Sequence, residues 1–420
     1  MSDLRWSADG SSIPIIDPHT KAKHLIIEKY VEDLIFTLYG KGRRGVDTFT
    51  FIDGFCGGGI YKDSESKSKE WFGSPVRLIR AVQEGYRKAN REYSINLKFI
   101  FIDDKQKHID CLKNHVMPKA GLEEFSQSEN CEFICGEFEN YVNYCVLTAD
   151  QRKGHSFFLL DPQGWTDVSM QSIRKITSMR RSEILYTFMM DPIIRFISNI
   201  RTDEKQKRNF EEILEAKGYY QEADPKQITK VGMQCYLRQE SMRLFREKGQ
   251  AKQVFSFAAV PKHETRVLYY LLHMSKNLTA LEVMKDSFWG ENTLGYEYFF
   301  DVYGFGFRSV DYYERDQMRL RFAIEKSKDQ QCIDLLDRDL RKILENNPDG
   351  ITFLDASART MELNPARRSH YEQYIKRLRD EQLVEIVRNG KVYRGSSTKL
   401  ERNDVIKQRR TTQLSFNFYP

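Results

Sequence analysis

The stretch that most restricts what this chain can become is Thr48–Gly59, TFTFIDGFCGGG. Phe49, Thr50, Phe51 and Ile52 are aromatic or β-branched in unbroken succession, which is the pattern of a buried strand. Gly57, Gly58 and Gly59 stop it abruptly; glycines permit positive φ and leave no Cβ in the way of a bound ligand. Asp53 stands where strand gives way to loop. A dinucleotide fingerprint would start its loop with glycine and lead directly into a helix. Here a polar run, Lys62 to Glu70, intervenes, and the next helix signal is Gly73-Ser74-Pro75, read as a serine N-cap and a proline at N1. Taken alone, the loop also fits a glycine-rich turn in a generic α/β domain.

The segments around it repeat an α/β pattern. Asp17-Pro18-His19-Thr20-Lys21-Ala22-Lys23-His24 opens a helix whose apolar face is Leu25, Ile26, Tyr30, Val31 and Leu34. A first helical turn disfavours cations, so His19, Lys21 and His24 are candidates for a site as well as for a solvated face. A helix from Pro75 to about Asn90 returns the chain to a second buried strand, Leu97–Asp104, which ends in two carboxylates. Asp103 there can accept the hydroxyls of a ribose, while the other carboxylate of the pair caps the helix that starts near Lys105. A third strand, Cys131–Phe138, ends in Gly136-Glu137, and Glu137 falls where a polar contact to an adenine belongs. A fourth, beginning HSFFLL at His155, delivers Asp161-Pro162-Gln163-Gly164-Trp165 to the carboxyl edge of the sheet, where open α/β sheets bind their ligands. Glu183–Met190 reads as a fifth strand, followed by a charged helical insertion over about 191–250. Gln253–Val260 and Thr265–Ser275 are joined by so short a loop that they must run antiparallel. The expectation for residues 1–300 is therefore a Rossmann-like α/β sheet with an antiparallel final strand and a helical insertion.

After a linker over 301–330, a second domain is expected over 331–398. Helices over Asp334–Asn346, Phe353–Leu363 and from Asn364-Pro365 to Leu383 are followed by VEIVRNGKVYRG, with Asn389-Gly390 as a hairpin turn. Three helices and a hairpin in that order describe a winged helix. Arg367, Arg368, Lys376 and Arg377 lie on its recognition-type helix, and Arg388, Lys391 and Arg394 on the wing. A basic tail over 399–420 adds Lys399, Arg402, Lys407, Arg409 and Arg410. The net charge of +6 is thus concentrated at this end, as contact with DNA or RNA phosphates requires; protein contacts with a solvated basic surface are the other reading. No run of 18 or more apolar residues and no N-terminal apolar region point to a membrane or to secretion. The seven cysteines show no CxxC pair and no zinc spacing, so free thiols in a reducing cytoplasm and no metal site are expected.

The spacing Asp53-x-Phe55-x-Gly57-x-Gly59 has the shape of the first cofactor motif in Rossmann-like S-adenosylmethionine (SAM) methyltransferases. That cofactor carries no phosphate and is met by bare backbone and carboxylates. Asp161-Pro162-Gln163-Gly164-Trp165 is similar to the Asp/Asn-Pro-Pro-aromatic tetrapeptide of amino-group methyltransferases, with Gln163 for the second proline and Trp165 one place late. Together with Asp17 to His24, Gly73-Ser74-Pro75 and Arg266-x-Leu268-Tyr269-Tyr270-Leu271-Leu272-His273, these motifs make roughly residues 15 to 290 resemble the three-Cys-motif partner proteins, TcmP. Cys56 and Gly58 depart from that pattern, where alanine and proline are expected. The resemblance implies a methyltransferase-like fold and a separate partner of iron–sulfur or radical-SAM type bearing three clustered cysteines. It implies that Asp53, Gly54, Phe55, Gly57 and Gly59 hold the amino-acid end of SAM, Asp103 its ribose and Glu137 its adenine. Asp161 and the Pro162 carbonyl would orient an acceptor amine beside Gln163, and Trp165 would stack on the base. The expected activity is methyl transfer to nucleic acid; the alternative is a catalytically silent nucleic-acid-binding scaffold for the partner.

Overall fold

The structure, a computed structural model, describes residues 6–40, 45–64, 68–91, 93–162, 164, 166–190, 204–220, 230–259, 269–290, 296–297, 306–309, 328–364, 366–395, 397 and 399–409. The expectations for Gln163, Trp165, Arg266 and Leu268, most of the 301–330 linker, and Arg410 and the residues after it lie outside these. The chain divides into two compact units, Met1–Arg319 and Leu320–Pro420.

In the first unit, helix α1 (Pro18–Leu38) precedes β1 (Thr48–Asp53). A small hairpin, β2 (Ile60–Lys62) and β3 (Glu70–Phe72), leads into α2 (Ser74–Ala89). Next come β4 (Asn96–Asp103), β5 (Cys131–Cys135), β6 (His155–Leu160) and β7 (Ser182–Met189). The sheet is completed by β8 (Gln253–Ala259), β9 (Tyr269–Ser275) and two short edge strands, β10 (Tyr296–Glu297) and β11 (Gly306–Ser309). The strand order is β10-β11-β8-β9-β7-β6-β1-β4-β5. β1, β4, β5, β6 and β7 are parallel, and β9 runs against both β7 and β8. The antiparallel final pair is as the short loop required.

β1 runs through this sheet because both of its faces are apolar. Phe51 stacks on Phe99 with ring centroids 5.1 Å apart and meets Phe157, which in turn faces Tyr30 of α1. Ile52, Ile100 and Leu160 point the other way, into a core closed by helices Phe138–Gln151, Met170–Ser178 and Lys230–Glu247. In the last of these, which falls in the stretch read as a helical insertion, Leu237 and Phe245 are fully buried in that core, so the helix is a packed layer of the unit. α2 starts one residue earlier than read. Gly73 is its N-cap, and the Ser74 hydroxyl, free of capping, turns to Asp53 instead.

The second unit begins with helix Lys328–Glu345, then β12 (Ile351–Thr352) and helix Phe353–Thr360, whose N-cap Thr352 accepts from the Asp355 amide. Helix Arg368–Asp380 is followed by β13 (Val384–Arg388), β14 (Lys391–Val392) and β15 (Val405–Gln408). Asn389 and Gly390 both have positive φ, at 50° and 75°, as a tight Asn-Gly hairpin demands. The sheet order is β12-β15-β13-β14. The segment read as a tail from 399 thus supplies a strand: β15 lies between β12 and β13, its Ile406 buried opposite Ile386. The wing proper runs from the Asn-Gly turn to β15.

Candidate functional site

Four strand ends converge at one edge of the first unit's sheet. The Gly54 amide donates to Leu159 O, Cys56 to Ile102 O and Gly136 to Asp103 O, all at 2.9 Å. This stitches the ends of β1, β6, β4 and β5 into one crevice, beside the point where the chain order reverses about β1.

Asp53 is its innermost group. It is fully buried, accepts from the Ser74 hydroxyl at 2.6 Å and from the Phe55 amide at 3.3 Å. Burial lifts its pKa to about 7 against those two hydrogen bonds, with Asp161 and Asp103 adding to the rise. Asp103 turns inward on the loop. Oδ2 accepts the Gly57 amide at 3.0 Å; Oδ1 takes the Lys105 amide at 3.0 Å and meets His108 Nδ1 at 2.8 Å. Of the two carboxylates ending β4, Asp103 is therefore the one turned inward and Asp104 the exposed one; neither caps the helix that follows, whose N-cap is Lys105 with no side-chain cap. Glu137 is also exposed, at the N-cap of its helix.

Asp161 follows β6 and forms an ion pair with Lys23 of α1. Burial pushes the Asp161 carboxyl up, but the Lys23 charge and hydrogen bond hold it below its ordinary value. Lys23 is buried and lies 5.4 Å from the Tyr269 ring. The dense His/Lys turn of α1 is in this way folded onto the site. Lys21 pairs with buried Asp63 at 2.6 Å, His24 Nδ1 accepts from the Trp71 indole at 3.1 Å, and His19 stands edge-on to Tyr269. Burial, reinforced by Lys23 and Arg77, drives His24 down to about 3, so its ring is neutral.

Sequence reading missed Lys23, Tyr61, Trp71 and Tyr269 as site residues, along with the hairpin that carries two of them. Tyr61 and Trp71 stand on either side of the polar run and pair across β2 and β3, too short a pattern to mark a hairpin in the sequence. Trp6 gave no signal. It is buried, donates its indole N–H to Ile60 O, and stands edge-on to His108 with centroids 4.8 Å apart. A Cβ on Gly58 would lie 2.3 Å from its ring, one on Gly57 3.0 Å, and one on Gly59 2.5 Å from Leu112. The bare backbone expected to face a ligand is used on that side by the chain's own side chains. Gly57 and Gly59 do take positive φ.

For SAM, the crevice keeps what the molecule's ammonium and ribose diol call for: buried Asp53 at the end of β1, with Asp103 and exposed Asp104 at the end of β4 and Glu137 after β5. The donor set fits that group through its carboxylates rather than through an open glycine cradle.

A mostly parallel α/β sheet ending in an antiparallel strand, followed by a separate winged helix, is a methyltransferase-like fold. A family model described as "GMT-like wHTH domain" matches residues 313–390. No curated protein matches the sequence. Among solved structures, the chain is similar to an O-methyltransferase from Bacillus cereus in complex with SAH, at 13% identity and TM-score 0.32, over 62% of this chain and 82% of that one. It is also similar to the plantazolicin methyltransferase BpumL in complex with SAH, at 10% identity and TM-score 0.25, over 61% of this chain and 86% of that one. Likeness this distant says nothing of the chain's own chemistry. Among the described residues, no helix is long and apolar enough to cross a membrane.

Proposed function

We propose that the protein is a SAM-dependent methyltransferase of nucleic acid, with the exocyclic amine of a base as acceptor. The observation that supports this most is the meeting of Asp53, Asp103 and Asp161 at one stitched sheet edge, with the α1 motif drawn onto it through Lys23. Bound SAM supplies a methyl group already activated by its sulfonium. Asp53 and the backbone of Gly54 to Gly59 would receive its amino-acid end, Asp103 and Asp104 its ribose, and Glu137 its adenine. Asp161, kept ionised by Lys23, offers a carboxylate oxygen to an acceptor N–H, and the Pro162 carbonyl offers a second acceptor. Gln163 and Trp165 follow in the sequence, and Trp165 would be the stacking ring. Because the electrophile is preactivated, positioning is the main service the chain performs, and a base in a duplex must be extruded to reach the crevice. The winged helix supplies nucleic-acid affinity. A partner with three clustered cysteines rests on the family resemblance.

A specific observation favours a second reading, the silent scaffold: one oxygen of Asp161 is already engaged by Lys23, and Trp6 covers two of the loop glycines. Asp161→Ala separates the two. With labelled SAM and bulk nucleic acid, the enzyme reading expects transfer to fall at least about a hundredfold while calorimetric SAM affinity stays within about twofold. Absence of SAM heat in the wild type favours the scaffold.

A further inference from the structure

The winged helix carries its cations in two states. The arginines on the recognition-type helix are spent inside the unit: Arg368 donates to Glu372 at 3.1 Å and to Leu400 O at 2.6 Å, Arg377 faces Asp337, and Arg379 donates to Gly395 O at 3.1 Å. Arg388, expected on the wing's outer surface, is held by both oxygens of buried Asp404, at 2.6 and 2.8 Å, with its guanidinium over the Tyr393 ring. Lys376, Arg394, Lys407 and Arg409 have no ion-pair partner among the described residues. These four line one open groove of about 1130 Å³ between the C-terminal half of the helix and strands β13 to β15, with Tyr393 on its wall. Asp380 and Glu385 also border the groove, but Asp380 is paired with Arg379, so the balance is positive. A polyanion is drawn to unspent charge, because each neutralised phosphate releases a counterion.

We propose that this groove, and not the exposed face of the recognition-type helix, is the nucleic-acid site, and that it grips the phosphodiester backbone without reading bases. The inference rests on the nucleic-acid reading above and locates it. Base readout by a recognition helix needs side chains free to reach base edges in the major groove; the helix arginines here are already bound to their own unit. Sequence choice, where the protein makes any, then belongs to the first unit.

The test uses the full chain and fluorescence anisotropy with two short DNA duplexes of unrelated sequence, between roughly 50 and 200 mM salt. The wild type should bind both within about twofold. The quadruple variant Lys376→Ala, Arg394→Ala, Lys407→Ala, Arg409→Ala should flatten the slope of log K against log salt by about 3.6. Gln373→Ala, on the exposed helix face, should leave both affinity and sequence indifference unchanged. An unaltered quadruple variant, or a Gln373→Ala variant that loses affinity for one duplex only, overturns the groove assignment and leaves the nucleic-acid reading standing. A wild type that binds neither duplex nor a matching RNA overturns that reading itself. Lys407→Glu alone, at a surface position, serves as a second probe should the quadruple variant fold poorly, and its expected effect is a smaller loss of the same kind.

Discussion

Asp53 and Asp161 are two carboxylates one crevice apart, in opposite states for reasons of environment. Asp53 has no cation beside it among the described residues, and burial lifts it to about 7; Asp161 has Lys23 and stays ionised. If the SAM ammonium needs an ionised Asp53, affinity must follow Asp53's titration. SAM or SAH should bind about tenfold more tightly per pH unit from 5 to just below 7 and then level off, with proton release seen in calorimetry at pH 6 in buffers of different ionisation heat. Affinity that is flat over that range, with no proton released, would take Asp53 out of the cofactor site. Lys23→Met leaves Asp161 without its counter-charge. A fully sealed pair broken on one side costs roughly 3–5 kcal/mol, but the Asp161 side chain keeps 27% of its exposure, so about 2 kcal/mol is expected in urea melts. Lys23→Arg should recover part of it.

At the scale of elements, the central strands and their order were legible because a strand buried on both faces is a run that few other structures accept. β1, β4, β6 and β7 were read within a residue or two of where they lie. The hairpin of β2 and β3 was not read, because three-residue strands around a charged turn carry too little pattern. The fourth strand of the winged helix was hidden for a similar reason: Val405–Gln408 is four residues long, inside a stretch whose charge spoke louder. The glycine run was read for the right conformation but only part of its purpose. Trp6, arriving from the far N-terminal side, needs Gly58 bare, and no spacing rule links positions so far apart. Gly58→Ala should therefore cost about 1–3 kcal/mol by overpacking and shift the intrinsic tryptophan emission as Trp6 is pushed aside. Trp6→Ala alone should cost about 3–5 kcal/mol. The double variant should cost less than the sum, since the clash is absent once the ring is gone; strict additivity would mean that the two do not touch.

Over the whole molecule, the site's buried groups set opposing pH dependences. Asp53 has a folded pKa above its unfolded value of 3.8, so the folded state binds its proton more tightly. Its contribution is greatest below the unfolded value and is lost as pH rises toward about 7, a fall of about 4 kcal/mol across the window. His24 has a folded pKa below its ordinary 6.5, near 3. The unfolded state therefore binds its proton more tightly, and stability rises with pH between those values. At the opposite end of the sheet, Glu183 lies buried among His155, His273 and Tyr30. Despite burial, the two histidines hold its carboxyl far below the usual range, so its contribution is complete above about 4.5 and is lost only in stronger acid. Between pH 4.5 and 6.5 the Asp53 and His24 slopes nearly cancel, and the wild type should melt at almost constant urea concentration there. Asp53→Asn removes the falling limb alone. Its stability relative to wild type should grow by about 1.4 kcal/mol per pH unit from 4.5 to near 7 and then stop growing. A constant difference over that span would mean that Asp53 is ionised throughout, and that the crevice is wetter than its burial indicates.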